Sequence, residues 1–265
     1  MALQASGQIS LDDLHVEAGG TTGTECSMND ADIRDIISKG DGAQNSISEY
    51  YGQSSAVSGA WLGYYMRLPD GNLSWNAPLS TPAANRYIVV YSAFRTATSS
   101  SVSCTVNIAG QSVTRLANLS VSSSNRTAGA QVDIALVPTG TTGTISMSTS
   151  SGSVYQAATA WVMYGINPTY ASFAQSNALD ANVSINVQEG DMVIAGAGAG
   201  YANSTSSSVS WTGVTRNFTY TGNENNERHM SAGTHFVTAD QSPRTIIADR
   251  NRSDNSRSAF AMAFR

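Results

Sequence analysis

The chain has 265 residues, of which 41% are hydrophobic and only 12% charged, and it carries a net charge of −5. That charge density is about half the usual value of roughly 25%, which leaves too few charged faces for a mainly helical soluble protein. The 14 basic residues against 19 acidic ones give no basic face to displace condensed counterions, so no nucleic-acid partner is expected. The length allows one large domain, or a small module plus a domain of ordinary size.

In chain order, residues 1–52 differ from the rest. Ser10 to Glu17 is followed by a Gly/Thr run, Gly19 to Thr24. A helix is then expected, with Ser27 as N-cap, Asp30 in the capping-box position, and Ile33, Ile36 and Ile37 as one apolar stripe. Lys39 suits its C-terminal end and Gly40 stops it. A helix of about three turns is marginal alone, and the segment offers little core of its own. It is therefore expected to pack on another surface, either a partner's or that of its own C-terminal domain.

Residues 53–84 read as a linker carrying an aromatic hairpin: Trp61, Tyr64, Tyr65 and Trp75 flank the turn-forming Leu68 to Asn72. This stretch is apolar enough to pack between subunits of a homo-oligomer or to cap its own sandwich. From Asn85 the period becomes two. Tyr87–Phe94, Val102–Ile108, Ser112–Leu116, Gln131–Val137, Thr144–Ser148 and Ala157–Tyr164 read as strands. So do Val183–Val187, Met192–Ala195, Val209–Tyr220, Arg228–Thr238, Thr245–Ala248 and Ser258–Phe264. The expected fold is mainly β: an antiparallel jelly-roll-like β-sandwich over residues 85–265, preceded by a small N-terminal segment with one short helix.

Sites for chemistry are sparse. Gly196 to Gly200 follows a strand but lacks the helix that would hold phosphate, and reads as a strand of small residues. His229 and His235, six apart on a strand, are separated by about 20 Å and cannot share a metal. Glu224 and Glu227 lie in a loop without the apolar pocket that raises one carboxyl pKa. Cys26 and Cys104 have no CxxC partner and are expected to be free thiols. No catalytic residue, metal or cofactor is expected. An exposed ring beside amide and guanidinium groups suits sugar recognition, which makes Trp211, Tyr220, Asn223 and Arg228 the candidate glycan contacts. The first twelve residues have neither a basic nor an apolar run, and no stretch reaches a membrane span of ~18 apolar residues. Neither export by the general pathway nor membrane insertion is expected.

One more signal comes from particular residues. Ser6-Gly7-Gln8-Ile9-Ser10-Leu11-Asp12-Asp13, His15-Val16-Glu17, Ser27-Met28-Asn29-Asp30 with Ile33-Arg34, and Ser46-Ile47-Ser48-Glu49-Tyr50-Tyr51-Gly52 together form a spaced motif. It resembles a segment of virion structural proteins of tailed bacteriophages. There it precedes varied C-terminal parts, which implies a shared attachment piece. The stretch Ala135 to Gly143 and the strand around Trp161 more loosely resemble β-sandwich domains of phage fibre and adhesion proteins. The resemblance implies a tail-fibre or tail-tip protein, assembled in the host cytoplasm into the virion. Its partners would be other virion proteins, a host-surface glycan and further copies of itself, usually as a trimer. Ile9, Leu11, Leu14, Val16, Ile33, Ile36, Ile37, Tyr50 and Tyr51 would make the attachment. The alternatives are a capsid decoration or head-fibre protein, a carbohydrate-binding module, and a depolymerase.

Overall fold

The computed structural model describes residues 3, 7–37, 39, 43–50, 57–67, 72–83, 85–96, 103–123, 126–150, 154–176, 181–200, 209–221, 228–250 and 256–265. Among the site residues expected from sequence, Tyr51 and Asn223 lie outside the described residues, as do Glu224 and Glu227. The chain divides into two compact units, Met1–Ser58 and Gly59–Arg265.

The first unit holds α1 (Leu11–Glu17), α2 (Ala31–Asp35) and a 3₁₀ turn, Ile47–Tyr50. The better-capped helix is α1, which the sequence reading passed over. Ser10 Oγ accepts from the Asp13 N–H at 3.1 Å, and the Asp13 carboxylate accepts from the Ser10 N–H at 2.7 Å. The helix expected after Ser27 is corrected to the five residues of α2. Asp30, not Ser27, is its N-cap, although the Asp30 carboxylate accepts the Ser27 N–H at 2.7 Å, the reciprocal half of the expected capping box.

The second unit is built of sixteen strands. The first eight are β1 (Ser58–Arg67), β2 (Leu73–Pro78), β3 (Tyr87–Thr96), β4 (Cys104–Ile108), β5 (Thr114–Ser123), β6 (Arg126–Leu136), β7 (Thr142–Thr149) and β8 (Val154–Tyr164). The others are β9 (Ser172–Ser176), β10 (Ala181–Val187), β11 (Met192–Gly200), β12 (Val209–Thr212), β13 (Thr215–Thr221), β14 (Arg228–Phe236), β15 (Gln241–Arg250) and β16 (Ser256–Phe264). The first eight make sheet I, in the order β1-β8-β3-β6-β5, and sheet II, β2-β7-β4. The last eight make sheet III, β13-β14-β11-β16-β9, and sheet IV, β10-β15-β12. Renumbered from β9, the second half repeats the strand order of the first. The paired strands are antiparallel.

The unit is a stack of four sheets. Leu73, Ile88, Val90, Val106, Ile108, Ile145, Ala160 and Val162 fill the space between sheets I and II. Val183, Ile185, Val193, Ile246, Ala261 and Ala263 fill the corresponding space between sheets III and IV. Side chains alternate along a strand, so Val89, Tyr91 and Trp161 point away from sheet II, while Ile194, Phe260 and Met262 point away from sheet IV. All six are buried, because sheets I and III pack face to face. Tyr91 meets Phe260 with ring centroids 4.8 Å apart, and the Trp161 indole N–H donates to Asn217 Oδ1 at 3.2 Å. Burial on both faces explains the unbroken apolar runs of β3, β8, β11 and β16.

Three expectations are corrected. One sandwich over residues 85–265 becomes two, and the strands carrying Trp61 and Trp75 do not pair with each other as a hairpin. β1 joins β8 in sheet I while β2 joins β7 in sheet II, so the aromatic stretch supplies one strand to each layer. The expected strand Val209–Tyr220 is two strands in different sheets, since the chain turns at Gly213.

A matching pair of contacts marks the start of the third strand in each half. The Val137 N–H donates to Arg86 O, just before β3, and the Val237 N–H donates to Asp191 O, just before β11, both at 2.9 Å. Asp191 is fully buried and receives Arg265 at 2.8 and 2.9 Å, which holds the Arg265 guanidinium pKa above its ordinary value.

Candidate functional site

The attachment residues read from sequence fall into two groups. Ile9, Leu14, Ile33, Ile36 and Tyr50 are buried together, with Leu3 and Ala18, in a core belonging to the N-terminal unit itself. The expectation that they cover another surface is corrected for these five. Leu11 and Ile37 are half-buried beside that core, and Val16 is 38% exposed. The sequence argument missed a self-contained core because it counted apolar residues and overlooked the polar ties that hold so small a unit.

Those ties converge from all its segments. Arg34 is fully buried; its guanidinium donates to Asn29 Oδ1 at 3.2 Å and Ala43 O at 2.5 Å. Asn45 Nδ2 donates to Met28 O and to the Tyr50 hydroxyl, each at 2.8 Å. Lys39 pairs with Glu49 and also donates to Gln44 O. His15 Nε2 meets Thr24 Oγ1 at 2.7 Å. Arg34 and Lys39 are the only Lys or Arg residues up to position 58, and both are spent on internal bonds.

Two carboxylates in this unit titrate below their ordinary range. The Ser10 side chain and backbone N–H hold Asp13 down, and hydrogen bonds from Lys39 and the Ser46 N–H do the same for Glu49. A depressed carboxylate pKa gives stability that is full above its unfolded value and is lost as pH falls through the folded one. The N-terminal unit is therefore expected to loosen below about pH 4. Hydrogen exchange of its peptides at pH 3 against pH 6, corrected for intrinsic rates, measures this; equal protection would refute it.

Of the four glycan candidates, Asn223 lies outside the described residues and only Trp211 has a described side chain. Trp211 is half-buried, its ring packs against the cores between sheets III and IV, and its indole N–H donates to Ser231 Oγ at 2.8 Å. It packs on the sandwich core with part of its ring. Tyr220 and Arg228 lie on β13 and β14, where Tyr220 pairs in register with Met230.

Exposed aromatics occur instead on β1. Trp61, Tyr64 and Tyr65 are 37%, 45% and 44% exposed. Trp61 and Tyr64 stack with Phe218 of β13, the Tyr64–Phe218 centroids lying 4.7 Å apart, and Tyr65 stacks on Trp75 of β2 at 5.8 Å. The Trp61 indole donates to Thr159 Oγ1 at 2.8 Å, and Thr159 donates to Gly63 O at 2.9 Å.

Among the described residues no group of three or more His, Cys, Asp or Glu side chains could hold a metal ion. Gly196 to Gly200 is strand β11. His235 is held below its ordinary pKa by burial, then by the charge of Arg244. Asp240 accepts the Glu189 N–H at 2.8 Å. Asp133 sits almost fully buried between Arg115 Nε at 3.1 Å and Gln131 Nε2 at 2.7 Å, and burial raises its pKa. Among the described residues no helix is long and apolar enough to cross a membrane.

Cys26 and Cys104 are both free thiols. Burial, reinforced by Asp133, pushes the Cys104 thiol up to about 12. Cys26 is half-buried and is also raised, by desolvation and then by Asp30, Asp12 and Asp32. Since the thiolate is the reactive form, iodoacetamide at pH 8 is expected to label Cys26 slowly and Cys104 only after unfolding in urea. Peptide mass spectrometry reads this, and native labelling of Cys104 at the rate of a free peptide thiol would contradict it.

No family model, no curated protein and no solved structure matches this chain.

Proposed function

We propose that this chain is a structural protein of a bacteriophage virion, a tail-fibre or tail-tip component. In this reading the N-terminal unit anchors it to the particle, and the β unit is displayed for contact with the host surface. The observation that carries it is the N-terminal unit. The residues that resemble a shared attachment segment form a body with its own core, separate from the sandwiches, as a piece common to proteins with different C-terminal parts would need to be. Its two cations are engaged internally while Glu25 and Asp32 face solvent. The complementary surface on the particle is accordingly basic, and assembly is salt-sensitive.

The strand orders 1-8-3-6 and 2-7-4, occurring twice, support a jelly-roll reading of each half, a framework common among capsid domains. The role is structural and not catalytic: Asp133, Asp191 and Asp240 are occupied in bonds that hold sheets and loops together.

The test is complementation of phage lacking this protein with the full chain or with a chain lacking residues 1–58. The truncated protein is expected to accumulate folded but to be missing from purified particles, a loss of at least tenfold by immunoblot. Normal loading of the truncated chain would overturn the proposal. Antibody-labelled electron microscopy on intact particles separates the tail assignment from a capsid decoration or head fibre.

A further inference from the structure

The two halves of the β unit treat one arginine differently. Val113-Thr114-Arg115 leads into β5, and Val214-Thr215-Arg216 leads into β13 at the same place in the second half. Each arginine stands at a register irregularity and pairs with the strand beside it, Arg115 with Asp133 of β6 and Arg216 with Gly233 of β14. In the first half the guanidinium is consumed: Nε donates to Asp133 Oδ1 at 3.1 Å and Nη2 to Cys104 O at 2.7 Å, which straps β5 to β4. In the second half nothing replaces Asp133. A Cβ on Gly233 would lie 2.8 Å from Val214 Cγ2 and from Thr215 O, so that position has no room for a carboxylate side chain. Arg216 is exposed and makes no hydrogen bond or ion pair among the described residues.

Two more basic groups lie near this corner, where the chain turns at Gly213. Arg244 Nε and Nη2 donate to Gly213 O at 3.0 and 2.6 Å, and Nη1 donates to Gln241 Oε1 at 2.7 Å. Two of the five guanidinium N–H groups are left over. Burial holds the Arg244 pKa below its ordinary value, and the charge of Arg244 in turn reaches His235. The carboxylate nearest in sequence, Asp240, goes instead to the Glu189 N–H at 2.8 Å. A partly buried cation without a counter-charge is costly. Beside the corner, the outer face of sheet IV presents Ser184, Thr212 and Thr245, all exposed and uncharged, around a half-buried Ile247.

We infer that this corner binds a carboxylate of an acidic polysaccharide. Arg216 and the two spare N–H groups of Arg244 hold the carboxylate, and the hydroxyl groups of sheet IV meet those of the sugar. Carboxylates are what this protein sets against its own arginines where it pairs them, at Arg115 and at Arg265, and a guanidinium matches a carboxylate fork to fork. A protein segment would want an apolar centre to dock on, whereas this face offers short hydroxyls around one isoleucine. The net charge of −5 gives a polyanion no general attraction to the chain, so binding depends on this local group of cations. The inference names the ligand class of the host contact proposed above, and it rests on that reading for the source of the polymer.

Equilibrium binding of the full chain to polygalacturonate, hyaluronan and polysialic acid tests it, with dextran and carboxyl-reduced polygalacturonate as the neutral comparisons. At least one acidic polymer is expected to bind and neither neutral one, with affinity falling as salt rises. Arg216→Gln is expected to weaken binding at least tenfold, and Arg216→Lys less, since lysine keeps the charge without the fork. Because Arg216 is exposed and unbonded, both variants are expected to melt with the native protein. A native chain indifferent to all three acidic polymers overturns the inference. So does an Arg216→Gln variant that binds as tightly as the native chain, and so does binding that survives carboxyl reduction. None of these outcomes touches the loading of particles through residues 1–58, so the ligand and the virion role can fail separately.

Discussion

Replacing Arg86 with methionine is expected to destabilise the β unit by about 4 kcal/mol. Arg86 is completely buried, and all five of its N–H donors are used on backbone carbonyls. Nε donates to Val137 O at 2.7 Å, Nη1 to Leu79 O and Ser80 O at 3.1 and 3.0 Å, and Nη2 to Thr139 O and Gly140 O at 2.6 and 2.8 Å. One planar fork thus ties the chain after β2 to the β6–β7 connection. Methionine would fill most of the volume but leave those carbonyls without donors, three of them in part-buried surroundings and two buried, and each orphaned group costs about 1–3 kcal/mol. Lysine keeps the charge with three donors in place of five and is expected to lose roughly half as much as methionine. Urea unfolding followed by circular dichroism measures both, with the slope unchanged. A methionine variant within about 1 kcal/mol of the native protein would mean that the clamp is dispensable.

The second large effect is expected at Gly196, on the face where the two sandwiches meet. A Cβ added there would lie 2.3 Å from a Phe260 ring carbon and 2.6 Å from one of Tyr91. Both rings are buried, and their sheets leave little room to part. Gly196→Val is expected to cost about 3 kcal/mol through overpacking. Because the strain falls on Phe260, Gly196→Ala and Phe260→Leu are expected to couple, with the double variant more stable than the two single losses predict by about 1 kcal/mol. Strict additivity would show that the glycine serves only its own strand and not the junction between sheets I and III.

The strands with long apolar runs were legible because burial on two faces leaves little room for polar residues: Tyr87–Phe94 and Ala157–Tyr164 stand out for that reason. What such runs do not encode is which strand lies beside which. The sequence around β1 and β2 carries the chemistry of a hairpin, yet pairing with β8 and β7, far along the chain, satisfies more backbone and buries Leu73 and Ala77 completely. β9 was missed because Ser172-Phe173-Ala174-Gln175-Ser176 is a half-buried edge strand with little periodicity. The Ser10–Asp13 capping box was present in the letters, but α1 has only seven residues and buries just Leu14 and Glu17, so it lacks an apolar stripe.

For the candidate sites, position was easier to read than exposure. The residues of the N-terminal motif do belong together, but packing turns most of them inward. Trp211 looked like an open ring beside loops, and its indole N–H found Ser231 instead. No local pattern reveals that a tryptophan's hydrogen-bond partner lies on another strand. The aromatic strip that is accessible, on β1, reads from sequence as one arm of an aromatic hairpin that packs between subunits or caps its own sandwich.

The repeated strand order has a genetic reading. Two eight-stranded modules joined in one chain behave as a dimer made covalent, and such a pair escapes a constraint that identical subunits cannot. A residue changed in a true homodimer changes at both of its equivalent positions. Here the position before the third strand is arginine in one module and aspartate in the other, and the two opposite charges secure their modules by unrelated means, carbonyl oxygens for Arg86 and Arg265 for Asp191. Two modules in one chain can thus carry unlike residues at matching positions and still keep the same strand order.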